Sequence, residues 1–183
     1  MDLCSFNELK EENMLLIAEK NPYVSEETAL FDDLVRVGEE KAHITLSRNL
    51  RLFLVDCLIE HLQDPDIVWR ILALDFLESD RLSGAERVVR LKRCGDASLI
   101  LAGFFPERAL RLRVSSTYFR QMGQSFFGTL ATHLEVTAVT MEQGQFFNEV
   151  ARGFEMLERV LNCARGKAQD EWGAFRRFRA RLN

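Results

Sequence analysis

Three prolines and ten glycines in 183 residues, none of them gathered into a tract, leave little room for a linker or a disordered segment. The apolar share of 47% and the charged share of 28% are those of a globular chain whose length suits one hydrophobic core rather than two. Long apolar runs are missing as well. The stretch Leu52 to Ile59 is broken by Asp56 within a few residues, far short of the roughly 20 needed to span a bilayer, so no membrane partner is expected.

Cysteine is sparse and scattered. Cys4, Cys57, Cys94 and Cys163 form no Cys-x-x-Cys pair, which excludes a zinc ribbon or a thioredoxin-type redox site. With no secretory n-region or h-region at the start, the reading is a cytoplasmic protein with reduced thiols. Histidine is scarcer still: His43, His61 and His133 stand far apart, Glu-x-x-His occurs once (Glu40 to His43) rather than on the two helices a di-iron bundle needs, and all three are expected to be ordinary surface or partly buried groups. Glu60 beside His61 and Glu135 near His133 are expected to project from different helix faces, unable to ligate together. Gly-x-Ser-x-Gly, Ser-x-x-Lys, Gly-x-Gly-x-x-Gly and Gly-Lys-Ser/Thr are all absent, so acyl transfer and phosphate-loop nucleotide binding have no support. The sequence therefore supplies no catalytic residue, no cofactor and no metal site.

The net charge of −4 gives a polyanion no long-range attraction, and nucleic acid is an unfavoured partner. The charge is unevenly spread. Residues 1–64 hold 14 acidic and 6 basic side chains, and residues 65–183 hold 14 acidic and 18 basic, so an acidic layer can lie against a basic one within a chain or between two copies.

What is abundant is apolar residues at spacings of three and four, with scarcely any strand-like alternation. This predicts an all-α fold: one domain over 1–183, built of seven or eight helices in bundle-like or orthogonal packing. Segments about 6–19 and 26–37 fit the period. Ser47 to Leu62 carries apolar residues on nearly every side, leaving only Asp56 and Glu60 as a polar stripe, and should be central. Asp64-Pro65-Asp66 starts a helix that runs to about Leu77. Ser83 to Glu86 fits a capping box, and Gly95 is suited to end the helix that follows. From Asp96 a further helix, or a continuation of the last, runs to Phe105, limited by Pro106. Ser115 or Ser116 caps a helix ending near Leu134. Thr140 to Gln143 is a second capping box, opening a strongly amphipathic helix that includes Phe147, Phe154 and Leu161 and extends to Gly166. Residues 168–183 form an Arg- and aromatic-rich C-terminal helix docked on the body or on a partner.

Three acids lie in apolar surroundings: Asp56, Asp75 and Asp96. A buried carboxylate must be paired, capped or protonated. Each could serve as a general acid or ligand anchor, but the favoured reading has Asp96 capping the segment after Gly95 while Asp56 and Asp75 pair with arginines. The 14 phenylalanines include the pairs Phe104-Phe105, Phe126-Phe127 and Phe146-Phe147. Neighbours about 100° apart on a helix can serve a core and a second surface together, or fill one thick core. Gly123, Gly128, Gly144 and Gly153 fall inside expected helices, where they permit close helix contact or mark kinks.

From Gly95 to Leu130 the chain carries Gly95-Asp96, Gly103-Phe104-Phe105-Pro106 and Tyr118-Phe119-Arg120-Gln121-Met122-Gly123, with Leu54-Val55-Asp56 upstream. In these motifs it resembles a group of bacterial helical proteins with no assigned activity, whose members carry a similar Gly-Asp, Gly-Phe-Phe and Tyr-x-x-x-Met-Gly series. The resemblance covers about half the chain, implies a bacterial, helical, cytoplasmic protein and transfers no catalytic residue. Phe119 stands where the group carries a second tyrosine.

Abundant apolar surface without chemistry favours a non-enzymatic interaction or regulatory protein working as a homodimer. It would use a Phe- and Met-lined face over 104–127, including Phe104, Phe105 and Met122, or the amphipathic helix near 140–165. The alternative is a small-molecule binder or enzyme with a pocket between helices, where Asp96, Tyr118, Arg120 and Gln124 supply the polar points and Phe104 and Phe105 the walls. A weaker third reading is nucleic-acid contact through Arg176, Arg177, Arg179 and Arg181.

Overall fold

A computed structural model describes residues 26–61, 72–136 and 140–171. These form seven helices: α1 (Glu26–Ala42), α2 (Arg48–His61), α3 (Leu72–Ser79), α4 (Gly84–Phe104), α5 (Glu107–Leu112), α6 (Tyr118–Leu134) and α7 (Met141–Glu171). Among the described residues there is no strand, as the helical period requires. The expected segment 6–19 and the Asp64-Pro65-Asp66 helix start lie outside the described residues; of the separate C-terminal helix expected over 168–183, residues 168–171 instead continue α7, and 172–183 lie outside the described residues.

The long α7 organises the rest. Val150, Phe154, Leu157, Leu161 and Ala164 recur at three and four along it and are all buried, meeting α6, α1 and α4. Helix α4 is buried from Cys94 to Phe104 on every side, polar Asp96 and Ser98 included, because α6, α7, α3 and α2 all lie against it. Helix α2 buries Leu50, Phe53, Leu54, Val55, Cys57, Leu58 and His61, so the narrow polar stripe does mark a well-covered helix. The corner between α1 and α2 is tied by Glu39, whose carboxylate accepts the Leu46 N–H at 2.8 Å and pairs with Arg51 at 2.8 Å.

Two glycines expected to end helices lie inside them. Gly95 falls within α4 and Gly166 within α7. Gly95 serves a close approach instead: a Cβ there would stand 2.7 Å from the Phe127 ring of α6. Gly123 does the same in reverse, since a Cβ on α6 would stand 2.1 Å from the Phe154 ring of α7. Pro106 ends α4 as expected, with the Phe105 N–H still bonded to the Leu101 carbonyl at 3.1 Å. Ser83 does precede α4, but its side chain makes no capping hydrogen bond, and α6 opens at Tyr118 after Thr117 rather than at Ser115 or Ser116.

Candidate functional site: a buried carboxylate, imidazole and ammonium cluster

Lys92 and Asp96 stand one turn apart on α4, so both side chains leave the same face. That face meets the last turn of α2, which ends in Glu60 and His61. Asp96 has no exposed surface, and its Oδ2 takes two partners: His61 Nε2 at 3.0 Å and Lys92 Nζ at 2.8 Å. Lys92 Nζ also donates to Glu60 Oε2 at 2.6 Å, and His61 Nε2 lies 3.9 Å from that oxygen. Thus Glu60 and His61, adjacent in sequence and expected to diverge, both reach the Lys92–Asp96 pair of α4. Asp96 does not cap a helix. It lies in the middle of one and is compensated across the helix interface.

The electrostatics follow from enclosure. Burial alone lowers the Lys92 ammonium, but the Asp96 carboxylate and then Glu60 outweigh it, and the net effect holds this lysine charged well above its usual range. Cys57, one turn before His61 on α2, lies close enough to feel the same charges. Burial first, and then Asp96, push its thiol well above the ordinary range, so it is a poor nucleophile. Among the described residues no hydroxyl or thiol is hydrogen-bonded to the His61 imidazole, so the aspartate–histidine pair lacks the nucleophile that a triad would need. What the cluster does offer is three donor atoms, from Glu60, His61 and Asp96, all within 4.8 Å of one another.

The side chains expected to share a pocket face different neighbours. Asp96 faces α2. Tyr118 is half-buried, and its hydroxyl accepts the Ala73 N–H of α3 at 3.2 Å. Arg120 reaches α7, where it grips Glu158 at 2.6 and 3.1 Å and Glu155 at 3.0 Å. Gln124 is exposed and Met122 is half-buried against the core. Phe104 and Phe105 are packed edge to face inside the core. Phe126 and Phe127 are also fully buried, while Phe146 and Phe147 are half-buried beside Phe53. Asp75 does face an arginine, Arg90 at 3.5 Å, and Asp56 is exposed. Arg176, Arg177, Arg179 and Arg181 lie outside the described residues. An open groove of about 440 Å³ runs between α2 and α7, lined by Leu50, Asn148, Glu149, Arg152 and Met156 among others.

Sequence reasoning singled out Asp96 but missed its companions Glu60, His61 and Lys92. The i,i+4 pairing of Lys92 with Asp96 was a readable signal, whereas the 35-residue separation of His61 from Asp96 carries none. No helix among the described residues is long and apolar enough to cross a membrane. Compared with family models, curated proteins and solved structures, the chain matches none.

Proposed function

We propose that this chain is a cytoplasmic, non-enzymatic interaction or regulatory protein that works as a homodimer. The observation that carries the proposal is the outer face of α3, where Leu74 and Leu77, one turn apart, remain 54% and 63% exposed. Two leucines alone are too little for the roughly 800 Å² per partner of a stable interface. The face therefore extends over the exposed start of α4, where Val89 also stands in solvent.

The charges around the two leucines suit a second copy. Glu78 and Asp80 at the end of α3 lie against Arg90 and Arg87 of α4, at 2.7 and 2.9 Å. A two-fold interface brings one patch against itself, so a patch carrying both signs can set acid opposite base across the axis. Phe104, Phe105, Phe119, Phe126 and Phe127 are buried in the core, so the contact face we propose is not the Phe-lined stretch over 104–127.

Sedimentation velocity at micromolar concentration tests this. The wild type is expected to sediment as a dimer, and Leu74→Lys with Leu77→Glu as a monomer with native helix content. Neither leucine is buried, so the fold survives the exchange. A wild type that remains monomeric at tens of micromolar, or a double variant that stays dimeric, overturns the proposal.

A further inference from the structure

We propose that Glu60, His61 and Asp96 form a binding site for a first-row divalent cation of the zinc type, and that the Lys92 ammonium is the occupant such an ion displaces. The inference is independent of the homodimer and stands on the cluster's geometry. An ion with bonds of about 2.0–2.2 Å sets its donors roughly 3.0–3.5 Å apart. His61 Nε2 stands 3.0 Å from Asp96 Oδ2 and 3.9 Å from Glu60 Oε2, and all three atoms lie within 4.8 Å. Only Glu60 needs to move appreciably, and at 55% exposure it is free to turn.

Lys92 already does a cation's work here. Its Nζ stands 2.6 Å from one carboxylate and 2.8 Å from the other, between the two groups a metal would bridge. One ammonium does not neutralise the site, because two carboxylates and a neutral imidazole leave one negative charge over. A divalent ion cancels both carboxylates and then repels Lys92, whose side chain is 21% exposed and has a path to water along its stem. A second, separate feature points the same way. Asp96 is fully buried, yet its Oδ1 has no hydrogen-bond partner among the described residues, an acceptor left open beside a cation position.

The donor set selects the ion. One imidazole with two carboxylates suits zinc, manganese or ferrous iron, whereas magnesium and calcium prefer an all-oxygen shell. The ion binds the neutral His61 tautomer that carries its single proton on Nδ1, which offers the Nε2 lone pair and releases no proton. Lys92 leaves as the ammonium, so no further proton is required.

The test is Zn²⁺ titrated into the metal-stripped full-length protein against a chelating dye, with circular dichroism confirming that each variant is folded. One ion per chain is expected. Lys92→Met should bind at least tenfold tighter, since it removes the competing cation, and Glu60→Gln at least tenfold weaker. Excess Mg²⁺ should not compete. A salt bridge with only a structural role moves none of these readings. Unchanged affinity in Lys92→Met, or full affinity in Glu60→Gln, overturns the proposal, as does a wild type that takes up no zinc.

Discussion

Substituting alanine at two glycines of one helix, α6, should shift stability in opposite directions. At Gly123 a Cβ would stand 2.1 and 2.3 Å from Cε2 and Cζ of Phe154. Optimal carbon contacts lie at about 3.5–4.0 Å, so the ring must retreat by more than an ångström. It has nowhere to go: Phe154 is fully buried on the central helix, with the Phe127 ring centroid 6.3 Å away. Overpacking costs about 1–3 kcal/mol, and about 2–3 kcal/mol of that range applies to a ring that cannot move aside; against a helix-propensity gain of about 1 kcal/mol for replacing glycine, Gly123→Ala should lose about 1–2 kcal/mol. At Gly128 nothing lies within 4 Å of the added Cβ, and only the propensity term remains. Gly128→Ala should therefore gain up to about 1 kcal/mol.

For a chain of this size each kcal/mol moves Tm by about 2–4 °C. Thermal unfolding followed by far-UV circular dichroism should place Gly123→Ala about 2–8 °C below the wild type and Gly128→Ala above it by up to about 4 °C. Urea midpoints should follow with an unchanged m-value. Combining Gly123→Ala with Phe154→Leu supplies the control, because trimming the ring removes the clash. The pair should show a favourable coupling of about 1 kcal/mol or more. Two alanine variants shifting in the same direction, or a double mutant that is strictly additive, would refute the view that Gly123 exists to let α6 approach α7.

Two further predictions concern the charged cluster. Asp96→Ala should lose about 3 kcal/mol, the low end for a broken buried pair because Lys92 can turn out to water, and a loss under about 1 kcal/mol in urea unfolding would show that the pairing is incidental. Under native iodoacetamide labelling read by mass spectrometry, half-buried Cys163 should react before buried Cys94 and Cys57, with Cys57 further protected by its raised thiol; early labelling of Cys57 would contradict that.

How much of this was legible beforehand depends on what a residue's neighbours in sequence can reveal. Three-and-four spacing reports which side of a helix is apolar, and it located α2 and α6 to within a few residues and the starts of α1 and α7, both of which run five residues past the expected end. It does not report what lies opposite. Gly95 shows the difference. By local rules a glycine after Leu91, Lys92, Arg93 and Cys94 reads as a helix end, since a left-handed terminus and a close approach select the same residue type. Only the Phe127 ring, 32 positions away, decides between them. Asp96 inherited the error: once Gly95 was read as a terminus, the acid after it read as a cap. With the helix continuous, the same carboxylate lies in mid-helix, fully buried, and cannot stay ionised there without partners from another element. The misplaced boundary and the missed site are therefore one event. Wherever a polar residue lies between buried neighbours on an unbroken apolar helix, its compensation has to come from across the interface. In this chain that requirement leads from Asp96 to Lys92, His61 and Glu60.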